Sequence, residues 1–259
     1  MSPLRLFFFP PRSAPIHAGR RSGFPLGALA AAAMALASCA GPGGGSVRRD
    51  PWGHRPGPQG FRTVMLDAGH GGKDSGARSR YTGQAEKDAA LDVVRRVERQ
   101  LSGAFRVVLT RSGDRFIDLD DRVAMASRSA DILVSVHFNS GPSVLSGAET
   151  YFWRVDSHGL AVRLHSAVTH AAAGKNNRGL VRRRLRLTRN PEIPCVLVEC
   201  GYLSNAREAS LIATPAHRER LATAIASAIR TQAARGDAGT GALPRPLFEP
   251  LSKASDPRQ

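Results

Sequence analysis

The chain has 259 residues, 42% of them hydrophobic and 22% charged, proportions that exclude a wholly disordered, collagen-like or multi-span membrane protein. Lysine and arginine number 37 against 21 acids, a formal net charge of +16. No zinc-finger, RNP-like or helix-turn-helix pattern accompanies that charge, so no nucleic-acid partner is expected.

The first segment reads as an export signal. Arg12, Arg20 and Arg21 precede an uncharged, mostly apolar run over residues 24–37, too short for an ordinary membrane span. The run ends in Leu36-Ala37-Ser38-Cys39, similar to the bacterial lipoprotein cleavage box, in which the cysteine becomes the acylated first residue. The reading is a signal peptide over 1–38, a lipid anchor at Cys39, and a periplasmic or envelope location on the outer membrane. The alternative is an ordinary signal peptide or uncleaved anchor with an incidental cysteine. Loss of residues 1–38 removes four arginines and no acid, leaving +12. A basic surface there meets anionic lipids, phosphates and peptide carboxylates. Residues 39–60, rich in Gly and Pro, read as a flexible spacer, and 234–259 as a disordered tail. One domain over 61–233 remains, expected to be monomeric.

Short apolar runs alternate with longer amphipathic ones, the pattern of an α/β fold with a mixed, mostly parallel twisted sheet flanked by helices. Strands are predicted over 63–67, 106–110, 132–137, 148–153, 185–187 and 195–199. Helices are predicted over 86–101, from 118 onward, and over 160–172, 206–212 and 215–230. The helix at 86–101 places Ala90, Leu91, Val94, Val97 and Leu101 on one face. Cys195 and Cys200, five residues apart on one strand, face opposite sides and read as two thiols rather than a bridge.

Polar residues interrupt these strands where ligands of α/β sheets gather. Asp67-Ala68-Gly69-His70-Gly71-Gly72 follows the first strand, His137 ends the third, and Glu199 ends the last. Two imidazoles and a carboxylate make a catalytic zinc set with a position open to water. His70 and His137 supply the imidazoles, and the carboxylate is either Glu86 or Glu199. Asp67 reads as a partner orienting His70 or as an ordinary strand-end acid. His54, His158, His165, His170 and His217 lie on spacers, loops or helix faces and read as structural. No GxGxxG, GKS/T or GxSxG pattern points to nucleotide or serine chemistry.

With Val64–Asp74, Glu86-Lys87-Asp88, Thr110-Arg111, Asp121-Arg122, Ser135–Asn139, Asn177-Arg178-Gly179 and Pro194–Asn205 in this order and spacing, the chain resembles the zinc-dependent N-acetylmuramoyl-L-alanine amidases of the type-3 group. The resemblance runs over residues 62–230. It implies one Zn²⁺ held by His70, Glu86 and His137, a catalytic glutamate at Glu199, and peptidoglycan as substrate. Arg178 is a candidate for substrate carboxylates, or a solvated charge beside Arg182, Arg183 and Arg184. Ala68, Phe138, Cys200 and Tyr202 depart from the commonest residues of the family, and Phe138, beside a ligand, is expected to narrow the cleft and bear on substrate preference. A catalytically silent peptidoglycan-binding lipoprotein and an envelope zinc peptidase are the competing readings.

Overall fold

The computed structural model describes residues 57–172 and 176–247, so the signal segment, most of the spacer and Cys39 lie outside the described residues. Six strands form one sheet in the order β2-β1-β3-β6-β4-β5: β1 (Thr63–Ala68), β2 (Arg106–Leu109), β3 (Ile132–Asn139), β4 (Ala148–Phe152), β5 (Asn177–Arg182) and β6 (Cys195–Tyr202). Every neighbouring pair is parallel except β4 with β6, which makes the sheet mixed. The helices are α1 (Glu86–Leu101), α2 (Leu119–Ser129), α3 (His158–Ala171), α4 (Arg186–Arg189), α5 (Ala206–Ile212) and α6 (Pro215–Arg235). Among the described residues no helix is long and apolar enough to cross a membrane.

Strand alternation divides the two faces sharply. Val64, Leu66, Val134, Val136, Val196 and Val198 point to one face and join the main core under α1, α3 and α6. Each fully buried aliphatic side chain there contributes roughly 1.5–3 kcal/mol. Met65, Leu133 and Cys195 point the other way into a small cluster with Ala126 of α2 and Leu187 of α4. Those two helices have 11 and 4 residues, too little to roof the whole face. Continuing along the same face by twos from Met65, Leu133 and Cys195 brings Asp67, Ser135, His137, Leu197 and Glu199 together, with His137, Leu197 and Glu199 lining a cleft. Cys195 and Cys200 are free and on opposite faces, as their spacing requires.

Local chemistry sets the helix ends. The Asp118 side chain accepts from Asp120 N at the start of α2, and Asn205 accepts from the N–H groups of Arg207 and Glu208 at the start of α5. After α1, Gly103 at φ 90° lets Ala104 and Phe105 both donate to the Leu101 carbonyl and turn the chain into β2.

The predicted strand at 185–187 is absent. Leu185 N–H donates to Thr188 Oγ1 at 3.2 Å and opens the single turn of α4, while the strand is the preceding β5. That edge strand has β4 as its one strand neighbour in the sheet, and its Asn, Arg and Gly residues hide the apolar alternation. A 3₁₀ turn over Val155–Ser157 starts α3 earlier than expected. Within the stretch read as tail, α6 continues to Arg235, Asp237 Oδ2 accepts from Gly57 N at 2.7 Å, and Leu247 N donates to Arg182 O at 2.8 Å.

Candidate active site

The turn after β1 carries the first histidine in a conformation L-residues disfavour. His70 has φ 59°, at a cost of about 1–2 kcal/mol. Two guanidiniums hold that turn: Arg111 donates to the carbonyls of Ala68 and Gly69, and Arg122 to those of Ala68 and His70. Arg122 also pairs with Asp67, Nη1 to Oδ1 at 2.6 Å. Asp67 is fully buried and accepts from Thr110 and Ser135 hydroxyls at 2.7 and 2.6 Å. Burial pushes its pKa up, but Arg122 and the two hydroxyls prevail and hold it below the ordinary carboxylate value. Asp67 thus carries the turn through Arg122 and does not orient the His70 ring. Asp74 does, with Oδ2 at 2.8 Å from His70 Nδ1.

His70, Glu86 and His137 converge. Each offers a ligand atom, and all three atoms lie within 4.8 Å of one another. Glu86 Oε1 is 3.0 Å from His70 Nε2 and 2.8 Å from His137 Nδ1. Its carboxylate is fixed by Phe138 N on Oε1 and Ala77 N on Oε2. Burial opposes the charged form of Glu86, yet the two imidazoles hold its pKa far below the usual range. His70 is raised: burial lowers it, and Glu86 and Asp74 outweigh that. Both His70 nitrogens face carboxylates, an arrangement that a neutral imidazole cannot satisfy by donation alone because it carries one N–H. A cation shared by the three residues fits better: Asp74 takes Nδ1–H and leaves the Nε2 lone pair to ligate.

Two glycines leave the room this requires. A Cβ on Gly69 would stand 2.5 Å from His137 Nδ1, and one on Gly76 2.6 Å from Glu86 Oε2.

Glu199 is the strand partner of His137 and, on its other side, of Glu149. Its Oε2 is enclosed with no hydrogen-bond partner among the described residues. Burial first, then the negative charges of Glu86 and Glu149, raise its pKa well above the ordinary value. A carboxyl group with an unpartnered oxygen beside the ligand cluster is placed as a general base or acid needs to be. Histidines, Glu86 and Glu199 all line one cleft of about 640 Å³, a volume suited to a substrate segment.

Residues 64–231 match the model of the N-acetylmuramoyl-L-alanine amidase family. The chain belongs to that family. Among curated relatives it is 37% identical over 175 residues to the uncharacterized protein YqiI of Bacillus subtilis, covering 65% of this chain and 83% of that one. It is 34% identical over 173 residues to the probable cell wall amidase LytH of Staphylococcus epidermidis, of whose length the match spans 57%. Among solved structures, the catalytic domain of CwlV, an N-acetylmuramoyl-L-alanine amidase from Bacillus (Paenibacillus) polymyxa, aligns with a TM-score of 0.63 at 38% identity. That alignment covers 66% of this chain and 97% of CwlV's domain. The N-acetylmuramoyl-L-alanine amidase from Clostridium difficile gives 0.62 at 31% identity, covering 67% and 97%.

In this amidase Arg178 lies on β5, exposed, with its guanidinium 5.8 Å from the Tyr202 ring centre, and it is not among the residues lining the cleft. In the sequence Asp74, Arg111 and Arg122 stand only as parts of motifs. Their roles depend on carbonyls and rings that the fold brings to them, although the four-residue spacing of Asp74 from His70 is a local signal. Of the histidines read as structural, His165 bridges Thr150 and Asn177, His158 and His217 are buried, and His170 Nδ1 lies 2.6 Å from Ser166 O. His54 lies outside the described residues.

Proposed function

We propose that the amidase hydrolyses the amide joining the lactyl group of N-acetylmuramic acid to L-alanine in peptidoglycan, with Zn²⁺ held by His70, Glu86 and His137. The observation that carries the reading is the convergence of those three ligand atoms within 4.8 Å beside a carboxyl oxygen that lacks a partner. A zinc ion bound there supplies Lewis-acid polarisation of a carbonyl and a water acidified towards neutrality. The protein's own residues supply the rest. Asp74 fixes the tautomer and tilt of His70, and the backbone N–H groups of Ala77 and Phe138 fix Glu86. Glu199 takes a proton from the attacking water and delivers it to the departing amine nitrogen. Its partnerless oxygen leaves it able to serve both halves of that transfer, and no covalent intermediate with the protein is needed.

The family and its cell-wall relatives support an exported, envelope-located enzyme. Acylation at Cys39, with the spacer over 39–60 holding the domain off the membrane, is the corresponding proposal for its anchorage. Replacing Cys39 with Ala then releases the protein from membrane fractions, and continued pelleting with membranes rejects the anchor.

Mass analysis of digested peptidoglycan tests the activity. Free L-alanine amino termini on an intact glycan are expected from the wild type, and Glu199→Gln should retain zinc but lose nearly all turnover. Cleavage inside the stem would make the enzyme a peptidase, and the absence of products would leave binding alone.

A further inference from the structure

The assignment of Glu199 as the proton donor, on which this inference rests, also orients the substrate. Across the sheet the reacting groups follow strand order: His70 after β1, His137 on β3 and Glu199 on β6, with β4 beyond. A group that protonates a departing nitrogen must lie on the leaving-group side of the scissile bond. The peptide half therefore leaves past Glu199 towards β4. The acyl half runs the other way, over the histidines towards β1, and only the short lactyl ether separates the scissile carbonyl from its sugar. A pyranose ring then comes to rest against the wall beside the His70 turn.

That wall is the segment between β2 and α2, where Phe116, Ile117, Asp118 and Leu119 line the cleft. Phe116 packs on the turn that carries His70: a Cβ on Gly72 would stand 2.6 Å from Phe116 N and 3.1 Å from Phe116 Cβ. Gly72 is two residues from His70, at most about 7 Å of chain. The contact is fastened on both sides, because Gly72 N donates to Asp114 Oδ1 and Lys87 Nζ to Asp114 Oδ2, each at 2.7 Å. Phe116 nevertheless keeps 38% of its surface open. Lys73 Nζ lies 4.5 Å from the centre of its ring, a cation–π contact that holds the ring in one orientation. The other Phe and Tyr side chains of the cleft lack this setting: Phe138 is buried, and Tyr151 stands on β4, past Glu199.

We propose that Phe116 is the platform on which the pyranose ring attached to the scissile lactyl group stacks, so that the enzyme selects sugar-bearing over sugar-free amides. A pyranose turns a patch of C–H groups towards one face and its hydroxyls towards the rim. An aromatic ring takes the C–H face out of water, and polar groups beside it take the hydroxyls. Lys73 and Asp118 flank Phe116 with a donor and an acceptor of that kind.

The test uses zinc-loaded full-length enzyme and two substrates with the same tripeptide, one carrying N-acetylmuramic acid and the other only its lactyl group. The scissile amide is identical in both, and the readout is the ratio of kcat/KM with sugar to kcat/KM without it. The wild type should favour the sugar by about tenfold or more, the scale of removing about 60 Å² of apolar surface from water. Phe116→Ala should bring that ratio close to one, and Phe116→Tyr, which keeps the ring, should keep most of the preference. A wild type without preference overturns the proposal. So does a Phe116→Ala enzyme that keeps the wild-type ratio while losing rate on both substrates, because the residue then only braces the His70 turn. Loss of the preference in Phe116→Tyr as well as in Phe116→Ala also overturns it, since the segment rather than the ring would set the selection. A wild type that cleaves neither substrate refutes instead the underlying reading of the site.

Discussion

Gly69→Ala isolates what the close approach of β1 and β3 contributes to the site. Gly69 is not in the left-handed region, so alanine meets no backbone penalty, and the effect is steric alone. The added Cβ would lie 2.5 Å from His137 Nδ1 and 2.6 Å from Nε2, where ordinary contact begins at 3.4 Å. The imidazole must therefore retreat by about 1 Å, several times the roughly 0.2 Å within which metal–ligand distances normally hold. A displacement of that size at reacting groups can cost about 100-fold in rate. The global cost is smaller: about 1–3 kcal/mol for overpacking, offset by about 0.4–1 kcal/mol from the stiffer unfolded chain. The expected variant is folded, melts within several degrees of the wild type, binds zinc at least tenfold more weakly in chelator competition, and turns over about 100-fold more slowly. If Gly69→Ala holds zinc and turns over like the wild type, the His137 ring is not where the metal set needs it.

Removing zinc with a chelator should abolish turnover and zinc alone should restore it, whereas His137→Ala should show neither metal content nor rescue; equal metal in that variant, measured by atomic absorption, rejects the ligand. Asp67→Ala strands the Arg122 guanidinium, which is 3% exposed, and should cost about 3–5 kcal/mol in denaturant unfolding. A loss under 1 kcal/mol would mean that Arg122 finds water in its place. His217 supplies a pH dependence remote from the site. Burial, then Arg220 and Arg218, lower its pKa to about 4, so the unfolded chain binds a proton near pH 6.5 that the folded chain refuses. Its contribution to stability is complete above pH 6.5 and is lost as pH falls towards 4. His217→Asn should therefore lose less stability than the wild type between pH 7 and pH 4.5, and identical losses would refute the assignment.

How far the site could be read in the sequence follows from which forces act locally. β1, β3 and β6 are central strands whose Val, Leu and Ile runs have no other good home, and their polar interruptions had to face something. Asp67, Ser135, His137 and Glu199 indeed share the face that α2 and α4 leave partly bare. Alternation alone could not decide whether Glu86 or Glu199 completes the ligand set. That choice depends on where the first turn of α1 docks, and α1 docks with the Glu86 carboxylate between two rings because Ala77 and Phe138 offer it N–H groups from distant segments. The family resemblance carried that information where periodicity could not. β5 stayed hidden for the opposite reason: an edge strand with one partner needs no apolar alternation, so its residues are free to be Asn, Arg and Gly.

The same freedom leaves the arginines from 178 to 186 undistinguished in the sequence. Position relative to the sheet separates them: Arg178 stands beside Tyr202, Arg182 turns to Trp153, and Arg183 enters the cleft. One residue of register exchanges the last two, because successive side chains on a strand point to opposite faces. Deleting Val181 should therefore do more than shorten β5. It would bring Arg184 to the level Arg183 occupies and Arg183 to the level from which Arg182 turns to Trp153, and a deletion variant that unfolded at the wild-type midpoint would show that the alternation of β5 carries no packing.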